Sequence, residues 1–201
     1  MAMVRAAPPD RPGRRRLGWL AAGYAGIGAF VALEGAARQR GGASSLEASS
    51  EDQGTTRLIV TAYVLAVGLP PLLRGLRRRR LPPRAAGLGL AVETVGLAIR
   101  FWSMRTLGAS YSRTLRTTAA QPVVDRGPYR WVRHPGYLGS VLTWTGFALT
   151  SQNLPTVVSI TGLLAGAYHR RIAAEEDLLT RELPGYLEYS RGTKKLVPFV
   201  W

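Results

Sequence analysis

The chain has 201 residues, is 46% hydrophobic and only 19% charged, and carries a formal net charge of +15, enough material for one compact domain. It has no cysteine and two histidines, His134 and His169, which excludes disulfides and cysteine-ligated metal and gives no basis for a protein-bound metal. The positive charge does not point to nucleic acid, because the arginines stand in short runs between long apolar segments, as charge flanks membrane spans, and no nucleic-acid recognition motif accompanies them.

The first dozen residues are rich in proline and arginine and are expected to be disordered. A basic stretch then precedes an apolar run without a small-residue cleavage site, which predicts a retained helix and not a cleaved signal peptide. Residues 17–33, 58–73 and 85–104 are apolar, the first two short for a bilayer core of ~20 helical residues but adequate if flanking side chains snorkel. Between the first two, residues 34–57 read as a polar, mobile loop. The sequence GLPPLL at 68–73 would allow a re-entrant turn. From Gly136 to Tyr168 run 33 uncharged residues, too many for one span. Ser151-Gln152-Asn153-Leu154-Pro155 interrupts them with turn formers and a helix-starting proline, so a tight helical hairpin is expected with both ends on one side. Gly162 and Gly166 have the small-xxx-small spacing of a close helix contact. The reading is an all-α, polytopic membrane protein of about five helices: residues 1–16 a disordered basic tail, 17–104 N-terminal membrane helices, 105–201 a motif-bearing C-terminal region. For five full spans, Lys and Arg number 15 on the C-terminal side and 11 on the other, which favours a cytoplasmic C-terminus.

Glu93 and Arg100 lie inside the third apolar segment, where an ionisable residue is costly and therefore a functional candidate. Seven residues apart, they share a helix face but stand ~10 Å apart along it, too far to pair. The simpler expectation is that Glu93 bonds a neighbouring helix and Arg100 snorkels to the interface.

Most of the chemistry sits at RGPYRWVRHPGYLG, residues 126–139, and in the segment after the hairpin. Arg133 is a fixed cation, His134 offers two ring nitrogens, Pro135 can start a helix, and Gly136 and Gly139 permit close backbone approach. After the hairpin, Ile172, Leu178, Leu179 and Leu183 form one apolar stripe of a helix leaving the membrane and ending at Pro184-Gly185. That helix brings Arg171, Glu175 and Glu176, followed by Tyr186 and Tyr189, back towards the first cluster. Taken alone, Arg171 and Glu175 could be an ordinary ion pair four residues apart on an exposed helix.

The ordered pair of motifs, VVDRGPYRWVRHPGYLG and RIAAEEDLLTRELPGYLEYSRGTKKLVP, resembles the isoprenylcysteine carboxyl methyltransferase family and the related phosphatidylethanolamine N-methyltransferases. The resemblance covers residues 123–198 and implies an S-adenosylmethionine-dependent methyltransferase acting on a lipophilic or lipid-linked acceptor among membrane lipids. By motif, it implies a cofactor pocket lined by Gln121, Val123, Val124, Tyr129, His134, Pro135, Gly136 and Tyr137, with Glu175 reaching it from the last helix. It further implies that Arg171 holds the acceptor's carboxylate, so Arg171 and Glu175 are the catalytic candidates, in a multi-pass protein of the bacterial inner membrane with its active site facing the cytoplasm. Eukaryotic relatives often have histidine and no proline at the position of Gln121-Pro122, so contacts there would run through the backbone of Val123 and Val124. An amine acceptor would instead need Glu175 or Glu176 as general base. Membrane reductases using NADPH carry a related motif, but with asparagine and glutamate where this chain has Gly136 and Ser140.

Overall fold

A computed structural model describes residues 12–41, 53–75, 80–108 and 122–196. Gln121 and residues 1–11 lie outside the described residues, whereas residues 12–16 of the expected tail already belong to the first helix. The described residues are mostly helical, with α1 at Pro12–Gly41, α2 at Thr55–Leu72, α3 at Arg84–Leu107, α4 at Pro135–Thr150, α5 at Leu154–Glu182 and α6 at Tyr186–Gly192. Among the described residues, pairing in the β conformation is confined to two isolated bridges. Among the described residues, three helical stretches are long and apolar enough to cross a membrane: Gly13–Ala36, Thr55–Gly75 and Arg84–Leu107.

Two boundaries depart from the sequence reading. α1 does not stop at Leu33 but runs on to Gly41, so Glu34 is a buried helical residue and not the start of a polar loop. α2 continues unbroken to Leu72, with Pro70 and Pro71 in its last turn, so there is no re-entrant turn at 68–73. The hairpin is as expected. Asn153 caps α5, its side-chain oxygen accepting from the Thr156 amide at 3.1 Å, and its amide nitrogen donates to the Leu73 carbonyl at 3.2 Å.

The tightest helix pair is α3 against α4, and glycines make it possible. A Cβ on Gly89 would lie 2.7 Å from the Gly146 carbonyl, one on Gly96 2.4 Å from the Thr143 amide, and one on Gly139 2.7 Å from the Arg100 amide. Each pair is spaced seven residues, so Gly89 and Gly96 face Gly146 and Gly139 in antiparallel register. The contact expected of Gly162 and Gly166 is absent: a Cβ at either meets nothing within 4 Å, since both are exposed. The core lies between α1, α2, α4 and α5, where Phe30, Trp144, Phe147 and Tyr168 are buried. Tyr63 stacks on Trp144 at 4.8 Å.

The helices alternate in direction. One end of the bundle therefore gathers the last turns of α1 and α3, the first turns of α2 and α4, and the outer half of α5. At the other end the α4–α5 turn meets the α2–α3 connection, where the Leu81 amide donates to the Gln152 carbonyl at 3.0 Å.

Candidate active site

The segment from Pro122 to His134 is shaped by a few local constraints. Gly127 takes φ +58°, and Thr106 of α3 occupies the place where a side chain would stand, its Oγ1 2.8 Å from an ideal Cβ. This turn leads into one tight helical turn over Gly127–Arg130 that buries Pro128 and Tyr129. The chain then pairs with its own C-terminal segment. The Arg133 amide donates to the Lys194 carbonyl at 2.8 Å and the His134 amide to that of Lys195 at 3.0 Å. Pro135 follows as the first residue of α4, where a missing N–H costs nothing.

Glu176 anchors this segment to α5. Its carboxylate accepts from Arg133 through Nε at 2.9 Å and the second terminal nitrogen at 3.0 Å. It also takes His134 Nε2 at 2.7 Å and the Tyr186 hydroxyl at 2.7 Å. The remaining Arg133 nitrogen donates to the carbonyls of Ser190 (2.7 Å) and Thr193. Burial alone would raise the Glu176 carboxyl, but hydrogen bonds from His134, Arg133 and Tyr186 outweigh it and hold the group well below the usual carboxylate range. Burial and the bond to Glu176 push Tyr186 up, and burial pushes Tyr189 up to about 12. A carboxylate so satisfied is a poor proton acceptor. The general-base role that an amine acceptor would ask of Glu176 does not fit this geometry.

Arg171 and Glu175 meet the first cluster through Tyr137. The Tyr137 hydroxyl donates to Glu175 Oε2 and accepts from Arg171 Nε at 3.2 Å. Arg171 also donates to the hydroxyls of Thr55 at 2.9 Å and Thr56 at 3.3 Å, at the start of α2. With 3% of its surface exposed, Arg171 is not half of a solvated helix ion pair. The Tyr137 ring stacks on His134 at 5.6 Å and leans on Tyr168 at 5.0 Å. Tyr129 is buried nearby, its carbonyl accepting from Tyr189 at 2.6 Å. Val123 and Val124 are half-buried in irregular chain, and Val123 reaches the Gly185 turn.

The charges inside α3 behave differently from the sequence expectation. Arg100 does not snorkel; it is buried and paired with Glu34 of α1 at 2.7 Å, and it donates to the Gly136 carbonyl at 2.9 Å. Glu93 is buried, yet both its carboxylate oxygens lack a hydrogen-bond partner among the described residues. It fills the notch left by Gly26 on α1, where a Cβ would lie 2.2 Å from Oε1. Glu34, Thr55 and Thr56 were not among the residues singled out from the sequence, since no local motif marks them.

The model of the Isoprenylcysteine carboxyl methyltransferase (ICMT) family matches residues 89–181. A probable protein-S-isoprenylcysteine O-methyltransferase of Oryza sativa subsp. indica is 30% identical over 156 residues, covering 73% of this chain and 81% of that protein. This chain belongs to the isoprenylcysteine carboxyl methyltransferase family. The protein-S-isoprenylcysteine O-methyltransferase of Saccharomyces cerevisiae is 30% identical over 116 residues, covering 56% of this chain and 48% of its own length. The solved eukaryotic intramembrane Ras methyltransferase of the family shares the fold at a TM-score of 0.58 and 21% identity, over 70% of this chain and 52% of that one. The chain thus spans about half the length of the yeast relative and of the solved structure. Membership bears out the expectation of an all-α integral membrane methyltransferase, an enzyme that needs a methyl donor. The matched region holds Arg100, the 126–139 motif, Arg171, Glu175 and Glu176, whereas Glu34, Thr55 and Tyr186 lie outside it.

Proposed function

We propose that this methyltransferase takes its methyl group from S-adenosylmethionine and transfers it to the carboxylate of a lipophilic, isoprenylcysteine-like acceptor. The acceptor would enter from the bilayer at the cytoplasmic face of the cell membrane, with residues 105–201 as the catalytic core. What carries the reading is the Tyr137 hydroxyl, which links Glu175 to Arg171 and so joins the two candidate roles in one hydrogen-bonded unit.

The chemistry of the side chains suits the cofactor. Its positively charged sulfonium matches the Glu175 carboxylate and the faces of Tyr129 and Tyr137, and the backbone of Val123 and Val124 offers amides and carbonyls to a planar base. When bound, S-adenosylmethionine supplies an electrophilic methyl group on that sulfonium. His134, Pro135 and Gly136 set the position of Tyr137 through the start of α4. Arg171 neutralises and orients the acceptor carboxylate with its planar fork. A carboxylate nucleophile needs no base, so the protein's contribution is to hold the reacting groups in line and exclude water. Glu176 serves by locking Arg133 and His134.

The test is Arg171→Lys, which keeps the charge and loses the fork. It should lower kcat/KM for a prenylated cysteine acceptor at least tenfold while leaving S-adenosylmethionine affinity within about twofold; Glu175→Ala should weaken the cofactor instead. Wild-type kinetics in Arg171→Lys would remove the carboxylate role.

A further inference from the structure

We propose that Arg100 and Glu34 form a positioning device by which α1 fixes the first turn of α4, and with it the His134–Tyr137 segment. The inference rests on the reading of that segment as the cofactor site.

Arg100 is 6% exposed and Glu34 3%. Two nitrogens of the guanidinium, Nε and one terminal nitrogen, converge on Glu34 Oε1 at 2.7 Å each. The other terminal nitrogen donates to the Gly136 carbonyl at 2.9 Å, which Ser140 also approaches through its hydroxyl at 3.1 Å. Phe30 of α1 lies beneath the guanidinium, 5.7 Å from its carbon. Gly136 is shaped for this contact, since a Cβ there would stand 3.2 Å from the donating nitrogen.

A buried ion pair is weak evidence for stability, because well-packed apolar residues of similar volume often do as well. Here the pair does something an apolar pair could not. The fork presents one donor to a backbone carbonyl of α4 while Glu34 compensates its charge, so the carbonyl is held from α3 by a cation whose own place is set by α1. Gly136 lies between Pro135 and Tyr137, and Tyr137 carries the hydroxyl that joins Arg171 and Glu175. A small displacement of this turn would therefore move both candidate roles together. Neither Arg100 nor Glu34 touches the Tyr137–Arg171–Glu175 unit in any contact described above, so both are positioning residues. Glu34 also lies outside the region matched by the family model, so this chain couples its first helix to the matched core.

Full-length protein in detergent is compared with the double variant Glu34→Gln/Arg100→Gln, which leaves no uncompensated charge behind, and with Arg100→Lys, which keeps the charge and loses the fork. Amide hydrogen exchange is followed without cofactor at residues 137–140, with residues 186–189 of α6 as internal reference, and S-adenosylhomocysteine affinity is measured by calorimetry. Both variants should exchange at least tenfold faster at 137–140 with the reference unchanged, and bind S-adenosylhomocysteine at least tenfold more weakly. Unchanged exchange at 137–140 overturns the proposal. So does acceleration that is equal in α6, or unchanged affinity in the folded variants, since these mark a merely structural pair. Failure of the wild-type protein to bind S-adenosylhomocysteine would defeat the reading of the cofactor site, while the exchange data would still decide whether the pair fixes the turn.

Discussion

Glu176→Gln offers the most quantitative probe of the site's architecture. The substitution keeps the shape and leaves an oxygen that can still accept from His134, Tyr186 and Arg133 Nε. It places an NH2 group where Oε2 now receives Arg133 at 3.0 Å, so one charge-assisted hydrogen bond becomes an opposition of donors. The side chains of Arg133 and Glu176 are 8% and 15% exposed, so solvent screens little of the loss. With hydrogen bonds to charged groups at ~1.5–3 kcal/mol and broken buried pairs at ~3–5, we expect about 2–4 kcal/mol of lost stability at pH 7. The pH dependence carries a definite sign. The folded carboxyl is held below its unfolded value of about 4.3, so its contribution is complete above that pH and lost as pH falls towards the lowered folded value. The gap between wild type and variant should therefore be flat from pH 8 to 5 and shrink by up to about 1.4 kcal/mol per unit below pH 4. Unfolding in detergent, monitored by tryptophan fluorescence across that range, measures it. A gap under about 0.5 kcal/mol at pH 7, or one unchanged between pH 6 and 3, would refute the clamp.

Other outcomes follow from the packing. Gly139→Ala and Gly96→Ala should each cost several kcal/mol or prevent folding, because the new methyl meets backbone at 2.7 and 2.4 Å; Gly162→Ala should be neutral or gain a few tenths, as thermal melts of the set would reveal. Asn153→Ala should lower stability by about 1 kcal/mol through loss of the α5 cap, and a loss under a few tenths would show that the cap contributes little. Single cysteines at Asp125 and Thr193 should both react with an impermeant reagent from the cytoplasmic side of oriented vesicles, and labelling only from the outside would reverse the proposed orientation.

The parts of the structure visible in the sequence are those written in local patterns. Pro135 and Asn153-Leu154-Pro155 mark helix starts, Pro184-Gly185 marks an end, and the stripe from Ile172 to Leu183 has helical spacing, so the hairpin and the helix that leaves it could be read directly. The charged residues of the two motifs also converge as their order suggests. What escaped depends on distant pairing. Glu34 ends an apolar run and so resembles the first residue of a loop, and nothing near it indicates that Arg100, 66 positions away, continues α1 by neutralising it. The common four-residue spacing of Gly162 and Gly166 marks no contact, whereas the α3–α4 crossing uses matched seven-residue spacings in two helices, a signal that only the pair reveals. Glu176 and Glu175 look alike in sequence. Only the fold separates the one clamped by Arg133, His134 and Tyr186 from the one facing Tyr137.

Carboxyl methylation from S-adenosylmethionine can be read out by incubating the purified protein with methyl-labelled S-adenosylmethionine and a farnesylated cysteine bearing a free carboxylate, then treating the product with alkali. A methyl ester releases its label as volatile methanol, and this is the result predicted, with the signal abolished when the acceptor's carboxylate is converted to an amide. Absence of transfer, or a label that resists alkali as an N-methyl group does, would contradict it.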